Sequence, residues 1–477
     1  MASTFFGLTI AYSGLQAANT SLTITGHNVS NINTKGYTKQ QAGTQAADAL
    51  RTHTTYGAIG SGVVVTEISQ IRDSYYDVKY RNNMANYGQY SVKESYMGQI
   101  EDYLDEFTLN GYSQEYKNFF SAVNQLTITP GDTSAKNQLI NNAKSLADYF
   151  NTLTTNLRNV QADANNEIKD AVQQINSYAK NIAALNRQIN QIEANYGNAN
   201  DLRDKRNAMI DELSEIVNLE TSEEDMGNNV SNFSVRINGQ TLVSSYSYNT
   251  LETVARTDKK NYSDAEGLYD VQWNSGQKFD MYSTSLSGHL KGLIDIRDGN
   301  NGEHENIETD DDGNNVTDSD GNLVLTTAPA ADKTVSYKGV PYYQAQLNEF
   351  AKIFSDAVNK IMKSGYTSDG SSKGISLFVT QPNTTVMSAG NITVNPELLK
   401  NADLLAIKKE QNDGESDAKI MEELNKLQSE KIFAGGTGSY FLESIVSDMS
   451  IDSQKAVNLY KNYTDLKTSI HLSLIHI

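Results

Sequence analysis

The sequence predicts a mainly α fold with an inserted β domain: a long, coiled-coil-like helical bundle carrying a β-rich outer domain, elongated and divided into several domains. Three observations predict it. Apolar and small residues recur at alternating spacings of three and four near the amino end, and again from Leu139 to Ile192. Between about residues 225 and 340 the period switches to two, with Asn-Gly, Ser-Gly and Lys-Gly turns between the runs. Only 5 prolines occur in 477 residues, where about 5 % of residues is ordinary, so little interrupts long helices.

The first element is a helix whose seam is Leu8, Ala11, Leu15, Ala18, Leu22, Val29 and Ile32, with Thr25 the one break in the repeat. These spacings put every seam side chain on a single stripe. No charged side chain precedes Lys35. A helix that is polar but uncharged around its seam is marginal alone in water and is suited to contact protein on several sides. Asn, Thr and Gly in NVSNINTKGYTKQ (28–40) then end the helix, and Val63 to Ile68 reads as a short strand. Residues 1–72 are thereby expected to form an amino-terminal helix and connector.

Residues 73–224 read as the first part of a long-helix bundle. It opens with a Tyr-rich helix (Tyr75, Tyr76, Tyr80, Tyr87, Tyr90, Tyr96, Tyr103) whose rings are expected to pack rather than to bind a ligand. Then follows the sustained repeat from Leu139 through Ala164 and, after one extra four-residue step, from Ile168 to Ile192. That stutter locally unwinds a left-handed coil. As helix the stretch spans about 80 Å, as one rod or as two with a break near Asp163 to Glu167. A further helix opens at Asp201, with Asp204 at the capping-box position. Residues 225–340 form the β-rich outer domain, from FSVRING (233–239), TLVSSYSY (241–248), LYDVQW (268–273) and TVSYKGVPYY (334–343). Residues 341–434 hold a returning helix and a linker region, 435–468 the carboxy-terminal helical part of the bundle, and 469–477 an atypical tail.

Composition removes several classes of function. With 39 basic and 58 acidic residues the net charge is −19, so a phosphate backbone or an anionic membrane surface is a poor partner. Zero cysteines exclude disulfides, thiolate metal sites and thiol nucleophiles. No window approaches the apolar length of a membrane span, and no basic, apolar and small-residue succession marks a cleaved signal peptide.

Candidate chemistry is sparse. In the acidic stretch 309–322, aligning Gly313 with the glycine of a calcium loop puts Glu308, Asp310 and Asp312 at ligand positions, but the twelfth position is Ser319 where a bidentate Glu is needed. Hairpin turns explain the stretch better. His27, His53, His289 and His304 have no ligand spacing between them, and the glycines of GGTG (435–438) lack the Lys-Ser/Thr of a phosphate loop. No catalytic residue, cofactor or metal site is expected, and the chain is not read as an enzyme.

The run His27-Asn28-Val29-Ser30-Asn31-Ile32-Asn33-Thr34-Lys35-Gly36-Tyr37, following an uncharged heptad helix, resembles the amino-terminal signature of the flagellar rod, hook and hook-associated axial proteins. The matching positions are Asn28, Ser30, Asn31, Asn33, Thr34, Gly36 and Tyr37. Segments 116–153, 183–217, 287–298, 341–361 and 392–399 resemble, more specifically, the hook-associated members that join hook to filament. The resemblance implies a structural, extracellular flagellar subunit, exported unfolded by the type III route without a cleaved signal and assembled as a ring. Its implied partners are further copies of itself, the hook protein, a second hook-associated junction protein and an export chaperone. Such proteins end in a second long heptad helix, which 469–477 does not resemble, so a carboxy-terminal truncation with a foreign tail is expected. Two other readings stand beside this one: another hook or rod protein sharing only the amino-terminal signature, and a secreted adhesin or surface hydrolase with a concave polar site in its β domain.

Overall fold

The computed structural model describes residues 5–51, 57–104, 112–310, 314–318, 320–329, 335–414 and 416–476. The chain opens with α1 (Phe6–Ser30), then β1 (Gln40–Ala46), the short antiparallel pair β2 (Leu50–Arg51) and β3 (Ala58–Ile59), and β4 (Val63–Gln70), which returns along β1. Four helices follow: α2 (Ser74–Leu104), α3 (Tyr112–Ile128), α4 (Thr133–Glu193) and α5 (Asn200–Ile216). The strands β5 (Glu220–Asp225), β6 (Ser231–Ile237), β7 (Gln240–Ser244) and β8 (Ser247–Tyr248) make an antiparallel meander, and β9 (Leu251–Ala255) pairs with β10 (Tyr269–Trp273). After α6 (His289–Asp298), β11 (Glu303–Ile307) pairs with β12 (Leu325–Pro329). The return leg comprises α7 (Val340–Ser364), β13 (Tyr366–Thr367), β14 (Phe378–Thr380), β15 (Ile392–Val394), α8 (Pro396–Lys400), a 3-10 turn, β16 (Ala406–Lys408), α9 (Lys419–Leu427) and α10 (Gly438–His476). The architecture is mainly α with β elements, as the sequence predicts.

The spine is α4, one uninterrupted helix of 61 residues, about 90 Å long. Asp132 caps its start, accepting from the Ser134 N–H at 2.8 Å. Leu139, Ala143, Leu146, Phe150, Leu153, Leu157, Val160, Ala164, Ile168, Ala171, Ile175, Ile182, Leu185 and Ile189 are all buried. The stutter produces no break at 163–167, because different elements cover successive stretches of the stripe and no single partner has to keep register with it. The helix ends where the Gly197 N–H donates to the Ile192 carbonyl at 3.1 Å.

Beside the apolar stripe runs a second one made of amides. Asn151, Gln161, Asn165, Asn176, Asn186 and Asn190 are separated by 10, 4, 11, 10 and 4 positions, steps that keep all six within about 100° of one side of the helix. Each serves backbone groups of the β region or the return leg. Asn190 donates to the Ser231 carbonyl at 2.7 Å and accepts from the Ser231 N–H at 3.1 Å. Asn176 does the same for Leu251, at 2.8 Å both ways. Gln161 donates to the Arg297 carbonyl and accepts from the Ala265 N–H. The helix thus supplies the hydrogen bonds that a neighbouring strand would otherwise provide.

Two features depart from the element-by-element expectation. The stretch read as strand at 334–343 begins α7 at Val340, with Pro341 in the first turn, where its fixed φ and missing N–H suit a helix start. Second, α6 is buried almost all round, including Lys291, Asp295, Arg297 and Asp298. Arg297 is fully buried; it and Arg256 both grip Asp298, and Arg297 also donates to Asn165 Oδ1 and the Tyr269 carbonyl. Burial alone would raise the Asp298 carboxyl, but the two guanidiniums hold it far below the usual range. On the far side, Lys93 of α2 lies 2.6 Å from Asp295. These pairs let a charged helix sit inside the molecule.

The core is one continuous apolar cluster from Val92 to Ala456 that takes in both the helices and the sheets. At one end, Phe350, Phe354, Phe433 and Phe441 stack, with the Phe350 and Phe433 rings 5.1 Å apart and nearly parallel, and Phe119 meets Phe354 edge-on. Along α2 the tyrosines pack on α10: Tyr90 stacks on Tyr463 at 5.4 Å and Tyr87 meets Tyr460 at 5.5 Å. Residues 469–476 continue α10, with Ile470 buried and His471 6.3 Å from the Tyr80 ring. At the start of α10, Gly438 packs against the Tyr116 ring and hydroxyl, which leave no room for a Cβ.

Candidate assembly surface

α1 stands on the β1–β4 hairpin and has two dissimilar faces. Phe6, Ile10, Ser13, Ala17, Thr20 and Ile24 face the hairpin; Ala17 and Ile24 are buried and the others half-buried. The Val63 N–H donates to Ser13 Oγ at 3.2 Å, joining helix and hairpin. The predicted seam lies elsewhere on the helix. Leu8, Ala11, Leu15, Ala18, Leu22, Val29 and Ile32 are all exposed, Leu22 at 70 % and Ile32 at 77 %. The first helix therefore carries two stripes at heptad-like spacing, one closed by its own chain and one open.

The turn after α1 is built by the Asn and Tyr side chains named above. Asn28 straddles Gln40, donating to its carbonyl and accepting from its N–H, each at 2.9 Å. The Tyr37 hydroxyl donates to Asn28 Oδ1 at 2.8 Å and lies 2.9 Å from His27 Nδ1. Ser30 and Asn31 bond carbonyls of the last helical turn, and Thr34 donates to Asn31 Oδ1 at 3.2 Å. Gly36 has φ +80°, and a Cβ there would lie 3.0 Å from the Ala208 Cβ, so it serves both the turn and the approach to α5. Asn33 is exposed. Asn28, Asn31, Thr34 and Tyr37 are thus joined in one elbow; of the seam residues, Leu8 to Val29 share the outer face of α1, whereas Ile32 lies beyond the helix, in the turn itself.

What sequence reading missed is the seat of this elbow on α5. Asp204 does not close a capping box, since α5 starts at Asn200 with no side-chain cap. Its buried carboxylate instead accepts from the Thr38 N–H at 3.0 Å and from Gln70 Nε2 at 2.7 Å. Burial pushes this carboxyl above its usual range, opposed by Thr38, Arg72 and Gln70. Lys35 reaches Glu212 at 2.7 Å, an exposed pair that contributes little. Nearby, Asp211 bridges Arg81 at 2.7 Å and Arg72 at 3.6 Å.

Among the described residues no group of three or more His, Asp or Glu side chains could hold a metal ion, and no helix is long and apolar enough to cross a membrane. Of the weighed calcium positions, Asp312, Gly313 and Ser319 lie outside the described residues; Asp310 accepts from the Asn314 N–H at 2.8 Å, as a turn residue does.

A family model described as the flagellar hook-associated protein FlgK helical domain matches residues 97–378, more than half of the chain. The chain belongs to the FlgK family. It is 27 % identical over 390 residues to flagellar hook-associated protein 1 of Bacillus subtilis (strain 168), covering 78 % of this chain and 70 % of that one. It is 33 % identical over 219 residues to flagellar hook-associated protein 1 of Salmonella typhimurium, covering 46 % and 39 %, and 32 % identical to that of Escherichia coli (strain K12), covering 46 % and 40 %. The chain thus spans well under half the length of these last two relatives. The flagellar hook junction protein FlgK of Burkholderia pseudomallei shares the fold, with a TM-score of 0.65 at 14 % identity over 83 % of this chain and 99 % of that one. FlgK membership supports a structural flagellar subunit and favours neither the adhesin nor the hydrolase reading.

Proposed function

We propose that the chain is a subunit of the junction between flagellar hook and filament, that it is exported unfolded without a cleaved signal, and that it assembles as a ring through the open seam of α1. It acts by binding alone and catalyses no reaction. The observation that carries this reading is the exposure of Leu8, Leu15, Leu22 and Val29 on one face of a helix whose opposite face is already closed. Large apolar side chains in a row on one exposed face mark a surface that is covered in the working state. The hook protein, a second hook-associated junction protein and further copies are the partners that would cover it; an export chaperone would meet it earlier. Residues 1–72 act in this scheme as the assembly arm and 73–468 as the body it carries, with 225–340 on the outer side.

The test replaces Leu15 and Leu22 by Glu in cells that depend on this chain for their filaments. The variant is expected to reach the medium as a folded monomer while hooks stay bare. Filaments of normal number and length would overturn the reading.

A further inference from the structure

On α4, Arg158, Lys169, Lys180 and Arg187 follow one another at intervals of 11, 11 and 7 residues, three turns, three turns and two, and so form a single line along the helix. All four are exposed. None lies three or four positions from an acidic residue of α4, and none makes an ion pair among the described residues. Arg158 donates to the Ser263 carbonyl at 3.4 Å; in a chain with 58 acidic side chains, a row of cations without an ion pair is unusual. Lys169 and Arg187 lie only over the rings of Tyr269 and Tyr246, at 6.0 Å each.

About a third of a turn further round the same helix, by its residue spacing, Asp163, Glu167 and Asp170 form an exposed acidic line at the height of Arg158 to Lys169. Their spacings of four and three make them like-charged neighbours, an arrangement that destabilises an isolated helix. Glu167 is held by the Tyr96 hydroxyl at 2.9 Å and faces His289 at 3.6 Å; Asp163 and Asp170 make no ion pair among the described residues. Over residues 158–170 the spine therefore carries two exposed flanks of opposite sign at one axial height.

We propose that these flanks are the two halves of one lateral contact: the basic line of α4 in one copy meets the Asp163–Asp170 line of α4 in the next copy round the ring. A ring of identical subunits requires a heterologous interface, two different and complementary patches on each copy, set at the same height so that rotation closes without climbing. Opposite charges at such an interface fix register and suppress wrong neighbours. The proposal rests on the ring reading above and adds to it a surface remote from the α1 seam.

The test uses full-length chains in cells that depend on them for filaments. Arg158→Glu with Lys169→Glu, and separately Asp163→Lys with Asp170→Lys, are each expected to reduce filament-bearing cells at least about tenfold by setting like charges face to face. All four substitutions together restore complementary signs and are expected to return the count to within about twofold of the unaltered chain. Doubles that assemble normally, or a quadruple no better than the doubles, would overturn the proposal. Leu15→Glu with Leu22→Glu, run alongside, separates the two ideas: bare hooks there with unaffected charge doubles would sink the lateral contact and leave the junction reading standing. A second measurement covers a double that fails to fold. Because the chain has no cysteine, Asp163→Cys with Lys169→Cys gives two defined thiols, and a short bismaleimide on assembled junctions is expected to give a ladder of multimers. Monomers alone would contradict the contact.

Discussion

The buried carboxylate of Asp204 accepts a hydrogen bond from the backbone N–H of Thr38 at 3.0 Å, across 166 positions of sequence. With its other oxygen it holds Gln70 at the end of the hairpin. One side chain on α5 thereby fixes both ends of the β1–β4 hairpin, and with them the direction in which α1 leaves the body. The exposed seam is consequently presented by a braced helix.

Asp204→Ala is expected to free that brace. Two donors lose their acceptor, at a cost of about 1–3 kcal/mol, and the loss is local because α4 and its core do not depend on it. Hydrogen exchange should accelerate roughly tenfold or more over residues 36–46 and 63–71 and stay unchanged along α4. Uniform exchange in the variant would show that Asp204 does not hold the elbow.

The amide stripe makes a separate claim on stability. Asn190→Leu keeps the branched shape but orphans both the N–H and the C=O of Ser231, and should cost about 2–4 kcal/mol in urea unfolding. Gln191→Leu, an exposed neighbour, should change it by less than about 0.5 kcal/mol. Equal effects would remove the special role of the stripe.

Asp356 on α7 sets a pH dependence. Burial, with Asp318 and Asp320 nearby, pushes its carboxyl up to about 6 from an ordinary 3.8. A group whose native pKa lies above its unfolded value binds its proton more readily in the folded state, so stability falls as pH rises between about 4 and 6. Asp356→Asn should therefore stabilise the protein at pH 8, by about 1 kcal/mol after solvent screening, and leave it unchanged at pH 3.5. Denaturant melts at the two pH values check this; a gain of equal size at both would contradict the sign.

Much of the fold is visible in the sequence where one kind of residue repeats at one period. The stripe of α4 is legible because burial of Leu139 through Ile189 needs only apolar side chains at helical spacing. The seam of α1 is legible for the same reason, yet the other stripe, Phe6 to Ile24, mixes Ser13 and Thr20 with apolar residues and so carries no clean apolar repeat. α6 is hidden because its burial relies on Lys93, Arg256 and Asn165, partners from distant parts of the chain, so its charges look like those of a surface helix. Asp204 and the α4 amides are hidden likewise: an Asp or Asn on a helix has the same sequence signature whether it faces water or the backbone of a remote strand. At the elbow, Asn28 and Tyr37 could be picked out as residues, but their joint grip on Gln40 depends on a turn geometry that spacing does not encode.

The open seam of α1 is tested most directly by thiol accessibility. In this cysteine-free chain, Leu15→Cys introduces one reporter on the exposed face. The maleimide reaction should be fast in the purified monomer and slowed at least about a hundredfold in junctions on isolated hooks, where neighbouring helices cover the seam. Equal reactivity in the two states would mean that the seam stays open after assembly, and that some other surface joins the subunits.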